Sequence, residues 1–322
     1  MTVLMIEAKG LARTFRTRQG PVEAVRGVDF TVGEGEIVGF LGPNGAGKTT
    51  TLRMLTTLLH PTAGSASVAG CDLAGDPDGV RKRIGYVAQS GGTDPACYVG
   101  EELTLQARLY RIPAAEARRR AAELCGMLDL SGLEDRSVRT LSGGQRRRLD
   151  IAMGLVHRPP LVFLDEPTTG LDPQARSNLW GHVRRLRAEQ ATTVFLTTHY
   201  LDEADALCDR ILIIDHGRIV AEGTPAELKR RVAGDVVVAE VTGDTGRAQA
   251  ALAGHPGVRE VSVADQTLRL TVEHGERALV GLLRALDAAG VGLASIQLHR
   301  PTLDDVFLTL TGRSLRDEGA AA

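Results

Sequence analysis

The stretch Ile37-Val38-Gly39-Phe40-Leu41, followed at once by Gly42-Pro43-Asn44-Gly45-Ala46-Gly47-Lys48-Thr49, decides the fold. Five nearly continuous apolar residues predict a strand covered on both faces. The eight that follow match GxxxxGK[ST], a loop whose glycines let backbone N–H groups wrap a polyphosphate. In such a loop Lys48 reaches the outer phosphates and the Thr49 hydroxyl can face a divalent cation. Beyond Thr50, Leu52, Leu55 and Leu59 recur at helical spacing, with Pro61 as the expected stop. The positive end of that helix points back at the phosphates. Strand, glycine loop and helix together predict an α/β nucleotide-binding core.

Working outward, residues 3–32 alternate loosely between apolar and polar, with breaks at Gly10 and Gly20-Pro21, and predict short, partly exposed antiparallel strands. Residues 90–158 lack β-type runs and carry helical patterns, including the Arg/Ala/Glu-rich stretch Ala114 to Leu130, as a helical insertion would. Parallel-strand patterns resume at Leu161–Asp165 and Thr192–Thr198, with a helix between them. Arg210–Asp215 and Arg218–Ala221 flank His216-Gly217, a hairpin signal. Past Gly234 the order strand (236–241), helix (247–253), two strands (258–263, 268–272), helix (276–289), strand (291–298) suggests a small ferredoxin-like domain. A last helix would start at Thr302, with Asp305 three residues on, and carry Leu303, Val306, Phe307 and Leu310 on one face. Residues 316–322 are expected to fray.

Two further segments carry chemistry. Leu161-Val162-Phe163-Leu164-Asp165-Glu166 is an apolar strand ending in two carboxylates, which point to opposite sides and can serve different atoms. Taken alone, this is also what an ordinary strand-to-turn transition looks like; beside a phosphate loop it gains weight. Leu141-Ser142-Gly143-Gly144-Gln145 precedes a helix with apolar face Leu149, Ala152, Met153 and Val156. Ser142 is then either a plain N-cap or part of a second anion site at a helix N-terminus. A chain with one phosphate loop needs a reason for the second.

Bulk composition narrows the class. At 322 residues with 43% hydrophobic and 24% charged, the chain is long enough for one large domain and one small one. A net charge of −2 gives no electrostatic case for nucleic acid or anionic lipid. Cys71, Cys97, Cys125 and Cys208 form no CxxC pair and read as reduced thiols. The amino terminus MTVLMIEAKG lacks a signal-peptide pattern, and no apolar run nears the ~20 residues of a membrane span.

In order, GPNGAGKTT (42–50), LSGGQ (141–145), LVFLDEP (161–167) and TTVFLTTH (192–199) resemble the ABC ATPase pattern across roughly residues 3–230. LSGGQ is the specific element, and no NKxD motif suggests a GTPase. The resemblance implies an α/β P-loop NTPase fold over 1–230 with an antiparallel β subdomain and the helical insertion, plus a C-terminal α+β accessory domain over 235–315. It implies ATP and Mg²⁺, with the phosphates on Gly42, Pro43, Asn44, Gly45, Ala46, Gly47, Lys48, Thr49 and Thr50. Thr49, Asp165 and Gln89 would face the metal, Glu166 would polarise the attacking water, and His199 would be the switch histidine at the γ-phosphate. Phe15 stands where the family stacks an aromatic on adenine; tyrosine is more usual, but phenylalanine keeps the π-face.

The same resemblance implies a head-to-tail homodimer, in which Ser142, Gly143, Gly144 and Gln145 serve the partner's ATP and Asp172, in Leu171-Asp172-Pro173, crosses to the other subunit. A separate integral membrane permease would complete the machine at the cytoplasmic side of the cell membrane, with the chain peripheral and no nucleic acid involved. The tail RPTLDDVFLTLTG (300–312) is similar to daunorubicin-resistance-type exporter ATPases, and LTTHYLDEADALCDRILIIDHGRIVAEGTPAEL (196–228) also to nodulation-factor exporters. One departure is Cys97-Tyr98, where the pattern has an aliphatic residue and Thr, in a region that abuts the membrane subunit. An importer is disfavoured by the tail. A non-transport ABC ATPase on ribosomes or DNA would carry two cassettes or long heptad arms, and neither is present.

Overall fold

A computed structural model of the chain describes residues 3–18, 20–232, 235–273, 275–299 and 301–312. The chain divides into two units between Thr224 and Pro225.

In chain order the first unit contains β1 (Leu4–Thr17), β2 (Gly20–Gly33), β3 (Ile37–Leu41), α1 (Lys48–Leu55), β4 (Ala63–Val68), β5 (Cys71–Asp72), α2 (Pro77–Arg83) and β6 (Ile84–Val87). The helical insertion follows as α3 (Val99–Leu109), α4 (Ala114–Met127) and α5 (Gly143–Leu155). Then come β7 (Leu161–Asp165), α6 (Pro173–Gln190), β8 (Thr193–Thr198), α7 (Leu201–Leu207), β9 (Arg210–Asp215) and β10 (Arg218–Gly223). One sheet is antiparallel, in the order β2-β1-β4-β5; the other runs β10-β9-β3-β8-β7-β6, parallel except for its β10 edge. Phe30 of the antiparallel sheet meets Phe40 and Phe195 of the parallel one at ring-centroid distances of 6.0 and 5.8 Å, and Phe163 joins them at 5.7 Å from Phe195. That aromatic cluster is the seam of the core.

Two details differ from the sequence reading. The strands over residues 3–32 are long, fourteen residues each. Gly10, at φ 57°, sits in a register shift between Ala8 and Leu11, so the ladder bulges there and continues. Helix α1 ends at Leu55 and not near Pro61, leaving Leu59 outside it. The Thr56 hydroxyl donates to the Leu52 carbonyl and Thr57 turns to φ 63°, which stops the helix six residues before the proline.

The second unit opens with α8 (Pro225–Val232) and continues through β11 (Asp235–Thr242), α9 (Thr245–Ala253), β12 (Val258–Ala264), β13 (Thr267–Val272), α10 (Gly275–Ala288), β14 (Gly292–His299) and α11 (Leu303–Thr311). Its sheet order β12-β13-β11-β14, antiparallel throughout, is the α+β arrangement expected from the strand–helix pattern. Val237, Leu252, Leu270, Leu282 and Leu286 lie in its core. The division falls ahead of α8 because α8 packs against α11. Thr302 caps α11 in a reciprocal box with Asp305, as its spacing predicts. Leu303, Val306 and Phe307 are buried, but Leu310 is 40% exposed and leaves the apolar stripe. Arg300 and residues 316–322 lie outside the described residues.

Candidate functional site

Four neighbouring strands, β3, β8, β7 and β6, end on the same side of the parallel sheet, where α/β folds place their ligands. Each delivers at least one expected group: Lys48 after β3, His199 after β8, Asp165 and Glu166 at the end of β7, Gln89 after β6. The order in space differs from the order in sequence, and that difference brings the groups together.

The phosphate loop is tightly built. A Cβ on Gly42 would lie 2.2 Å from the Ile214 carbonyl oxygen, so only glycine fits. Gly47 has φ 108° and caps α1. The Lys48 ammonium is buried, donates to the carbonyls of Gly42 (2.7 Å) and Pro43 (3.1 Å), and stands 3.3 Å from Glu166 Oε1. Asn44 and Gly45 are exposed at the tip, Ala46 is buried, and Thr49 and Thr50 open the helix half-buried.

Asp165 Oδ1 accepts from Thr49 Oγ1 (3.2 Å) and Thr197 Oγ1 (2.7 Å). Glu166 is the hub. Its Oε2 accepts from Gln89 Nε2 (3.1 Å) and Thr169 Oγ1 (3.2 Å), and His199 Nδ1 lies 3.2 Å away. Burial pushes the Glu166 carboxyl up, but His199 and Lys48 together outweigh that and hold it at about 2. Its backbone sits at φ 45°, a strained region for a side-chain-bearing residue, held by N–H donation to the Thr197 hydroxyl (3.0 Å) and the Thr197 carbonyl (3.2 Å). The carboxylate is therefore ionised beside the phosphate loop, with Lys48 and His199 holding down its strength as a base.

Ser142, Gly143, Gly144 and Gln145 lie elsewhere. Ser142 caps α5 and exchanges hydrogen bonds with Gln145 in both directions. With Gly170, Leu171 and Asp172 they line a groove of about 350 Å³, and no residue of the phosphate loop lines it. Asp172 accepts from Ala175 N (2.8 Å) and caps α6, more than the plain turn acid its Asp-Pro context suggests. Phe15 lies half-buried on β1, with the Arg13 guanidinium 4.8 Å over its ring.

Residues 25–169 match the ABC transporter family and residues 223–311 match the DrrA1-3-like ATP-binding protein C-terminal domain. The daunorubicin resistance ATP-binding protein DrrA3 of Streptomyces coeruleorubidus is 45% identical over 94% of this chain and 96% of its own length. The chain belongs to the DrrA type of ABC transporter ATP-binding proteins. It is an ABC ATPase. The Nod factor export ATP-binding protein I of Ralstonia nicotianae is 42% identical to this ABC ATPase over 94% of the chain and 93% of that protein. Among solved structures, a dimeric post-hydrolysis ATP-binding cassette, MJ0796 bound to ADP and Pi, superposes with a TM-score of 0.63 at 27% identity, covering 68% of this chain and 98% of that one.

Two buried residues of this ABC ATPase went unseen in the sequence. Arg147 and Asp150 lie outside the apolar face read for this helix, yet they are only 7% and 8% exposed. Arg147 donates to three carbonyls, those of Ala88 (2.6 Å), Asp165 (3.0 Å) and Pro167 (2.8 Å), tying α5 to both acidic and glutamine loops. Asp150 accepts from Gly92 N at 2.9 Å. The signal available was the i, i+3 spacing of the pair on the helix that carries LSGGQ. Truncating Arg147 to alanine strands those carbonyls, each costing about 1–3 kcal/mol when buried. Arg147→Ala is therefore expected to lose roughly 3 kcal/mol or more in urea unfolding, with Arg147→Lys recovering part because an ammonium cannot fork. A loss below about 1 kcal/mol would show the three contacts to be dispensable.

Proposed function

We propose that this ABC ATPase powers an exporter: two copies close head to tail over two Mg-ATP molecules, and a separate integral membrane subunit moves a drug, antibiotic or lipid-like cargo. The observation that carries the reading is the Ser142–Asp172 groove. It is an anion-favouring helix N-terminus lined by none of the chain's own phosphate loop, so a second copy must bring the nucleotide to it. The names of the relatives, resistance to daunorubicin and export of Nod factor, support the cargo class.

The residues fit both ligands. Thr49, Asp165 and Gln89 offer only oxygen-type ligation, as Mg²⁺ requires, and leave room for waters and phosphate oxygens. Mg²⁺ would neutralise charge on the outer phosphates. Lys48 and the loop N–H groups would hold those phosphates, Glu166 would take the proton of the attacking water, and His199 would steady the γ-phosphate. Phe15 would stack on adenine once Arg13 shares or leaves its face.

For the membrane partner, α3 and α4 border a groove of about 720 Å³ lined in part by Tyr98, Leu105 and Arg118, with Tyr98 and Leu105 about half exposed. Tyr98 occupies the N-cap of α3, where Glu101 accepts its N–H (3.3 Å), so the departure from threonine leaves the helix start intact and puts a phenol on that surface. Among the described residues no helix is long and apolar enough to cross a membrane.

Pull-down of the tagged full chain from detergent-solubilised membranes is expected to bring one integral membrane protein with it. Recovery with ribosomes or DNA, and no membrane protein, would replace the exporter reading with the non-transport one.

A further inference from the structure

His199 is followed by Tyr200, the N-cap of α7, and both Tyr200 and Glu203 of α7 are held by α6. The Arg176 guanidinium lies 4.1 Å over the Tyr200 ring, which is itself 4.1 Å from the His199 imidazole. One turn further along α6, Trp180 Nε1 donates to Glu203 Oε1 at 3.1 Å. Glu203 is fully buried; the nearby Thr168 and Thr198 hydroxyls favour its ionised form against burial, but Glu203 Oε2 and the Thr168 hydroxyl make no hydrogen bond among the described residues. The Thr198 hydroxyl accepts the Tyr200 N–H at 2.9 Å, bracketing His199 from the strand side. Thr168 belongs to the loop running from Glu166 to Asp172, the residue that caps α6. A fully buried carboxyl that takes an indole donor from the next helix is more than a helix needs to pack.

We propose that Arg176–Tyr200 and Trp180–Glu203 form a clasp through which α6 positions His199 against Glu166, with Trp180 and Glu203 as positioning residues. The clasp rests on the reading above that His199 acts in hydrolysis. Its far end is the groove at Asp172, so the placement of His199 follows the placement of the loop that a second copy is proposed to engage. Two side chains at i and i+4 on one rigid helix transmit such a displacement without a hinge between them.

The test uses steady-state ATPase measurements on the full chain. Trp180→Phe keeps the ring and removes only the donor; Glu203→Ala removes the acceptor. Each is expected to lower kcat about fivefold or more, since small misplacements of a reacting group cost this much, while KM for ATP stays within about twofold. Glu203→Gln, which keeps an acceptor for the indole, is expected to recover most of the loss. In a His199→Ala background, Trp180→Phe is expected to cost nothing further, because the group it positions is gone. Wild-type kcat in Trp180→Phe overturns the clasp, and so does a loss that multiplies onto His199→Ala or appears in KM alone. Should Glu203→Ala fail to fold, Trp180→Phe and Glu203→Gln decide the matter. His199→Ala turning over at the wild-type rate removes the role of His199, and the clasp with it; an impaired His199→Ala beside an unimpaired Trp180→Phe removes the clasp alone.

Discussion

Glu166→Gln is expected to lower ATP turnover by about 10²–10⁴-fold while nucleotide still binds, because the amide keeps the shape and loses the proton acceptor. Phosphate release measures the first part and fluorescent-nucleotide titration the second. The trapped state is expected to elute as a dimer in size-exclusion chromatography with ATP and Mg²⁺. Turnover at the wild-type rate would take Glu166 out of the reaction. The same substitution reads out the electrostatics. Glu166 is held at about 2 in the fold against an ordinary 4.5, burial opposing and His199 and Lys48 prevailing. A carboxyl depressed in the folded state contributes stability above about pH 4.5 and loses it as pH falls through about 2. The contribution is on the order of 3 kcal/mol. Unfolding free energy of the wild type is therefore expected to fall more steeply between pH 4.5 and 2 than that of Glu166→Gln. Parallel slopes would mean the carboxylate gains nothing from its partners.

Lys48→Ala strikes the same centre from the other side. Lys48 is buried beside a buried carboxylate and closes two loop carbonyls, so its removal takes away the charge facing the phosphates and leaves Glu166 beside the His199 ring and the Gln89 amide. Losing one member of a buried, hydrogen-bonded charge pair costs about 2–5 kcal/mol. ATP affinity is expected to drop by about 30-fold or more and turnover to reach background. Equal affinity and turnover would remove the glycine loop from the nucleotide site.

The nucleotide loop, the acidic strand end and LSGGQ were legible because each is a local feature. A glycine at φ 108°, a strand ending in two acids and a serine N-cap are set by neighbours in the chain. The helical insertion and the α+β order of the second unit were legible for the same reason: periodicity is a short-range property. The extent of β1 and β2 and the end of α1 were not, since a bulge at Gly10 and a hydroxyl at Thr56 override the glycine and proline signals.

By itself, then, the amino-acid order determined which segments bear chemistry and, through the match of the whole chain to DrrA-type relatives, what kind of motor they build. Only the tertiary structure decided which groups meet. Inserting β8 between β3 and β7 carries His199 to Glu166, thirty-three positions away in the chain, and lets Lys48 share the same carboxylate. It also turned two charged residues of α5, Arg147 and Asp150, into buried ties to neighbouring loops. Charge in a sequence reads as solvated; whether a helix turns that charge toward a ring of carbonyls depends on what packs against it, and no local pattern records that.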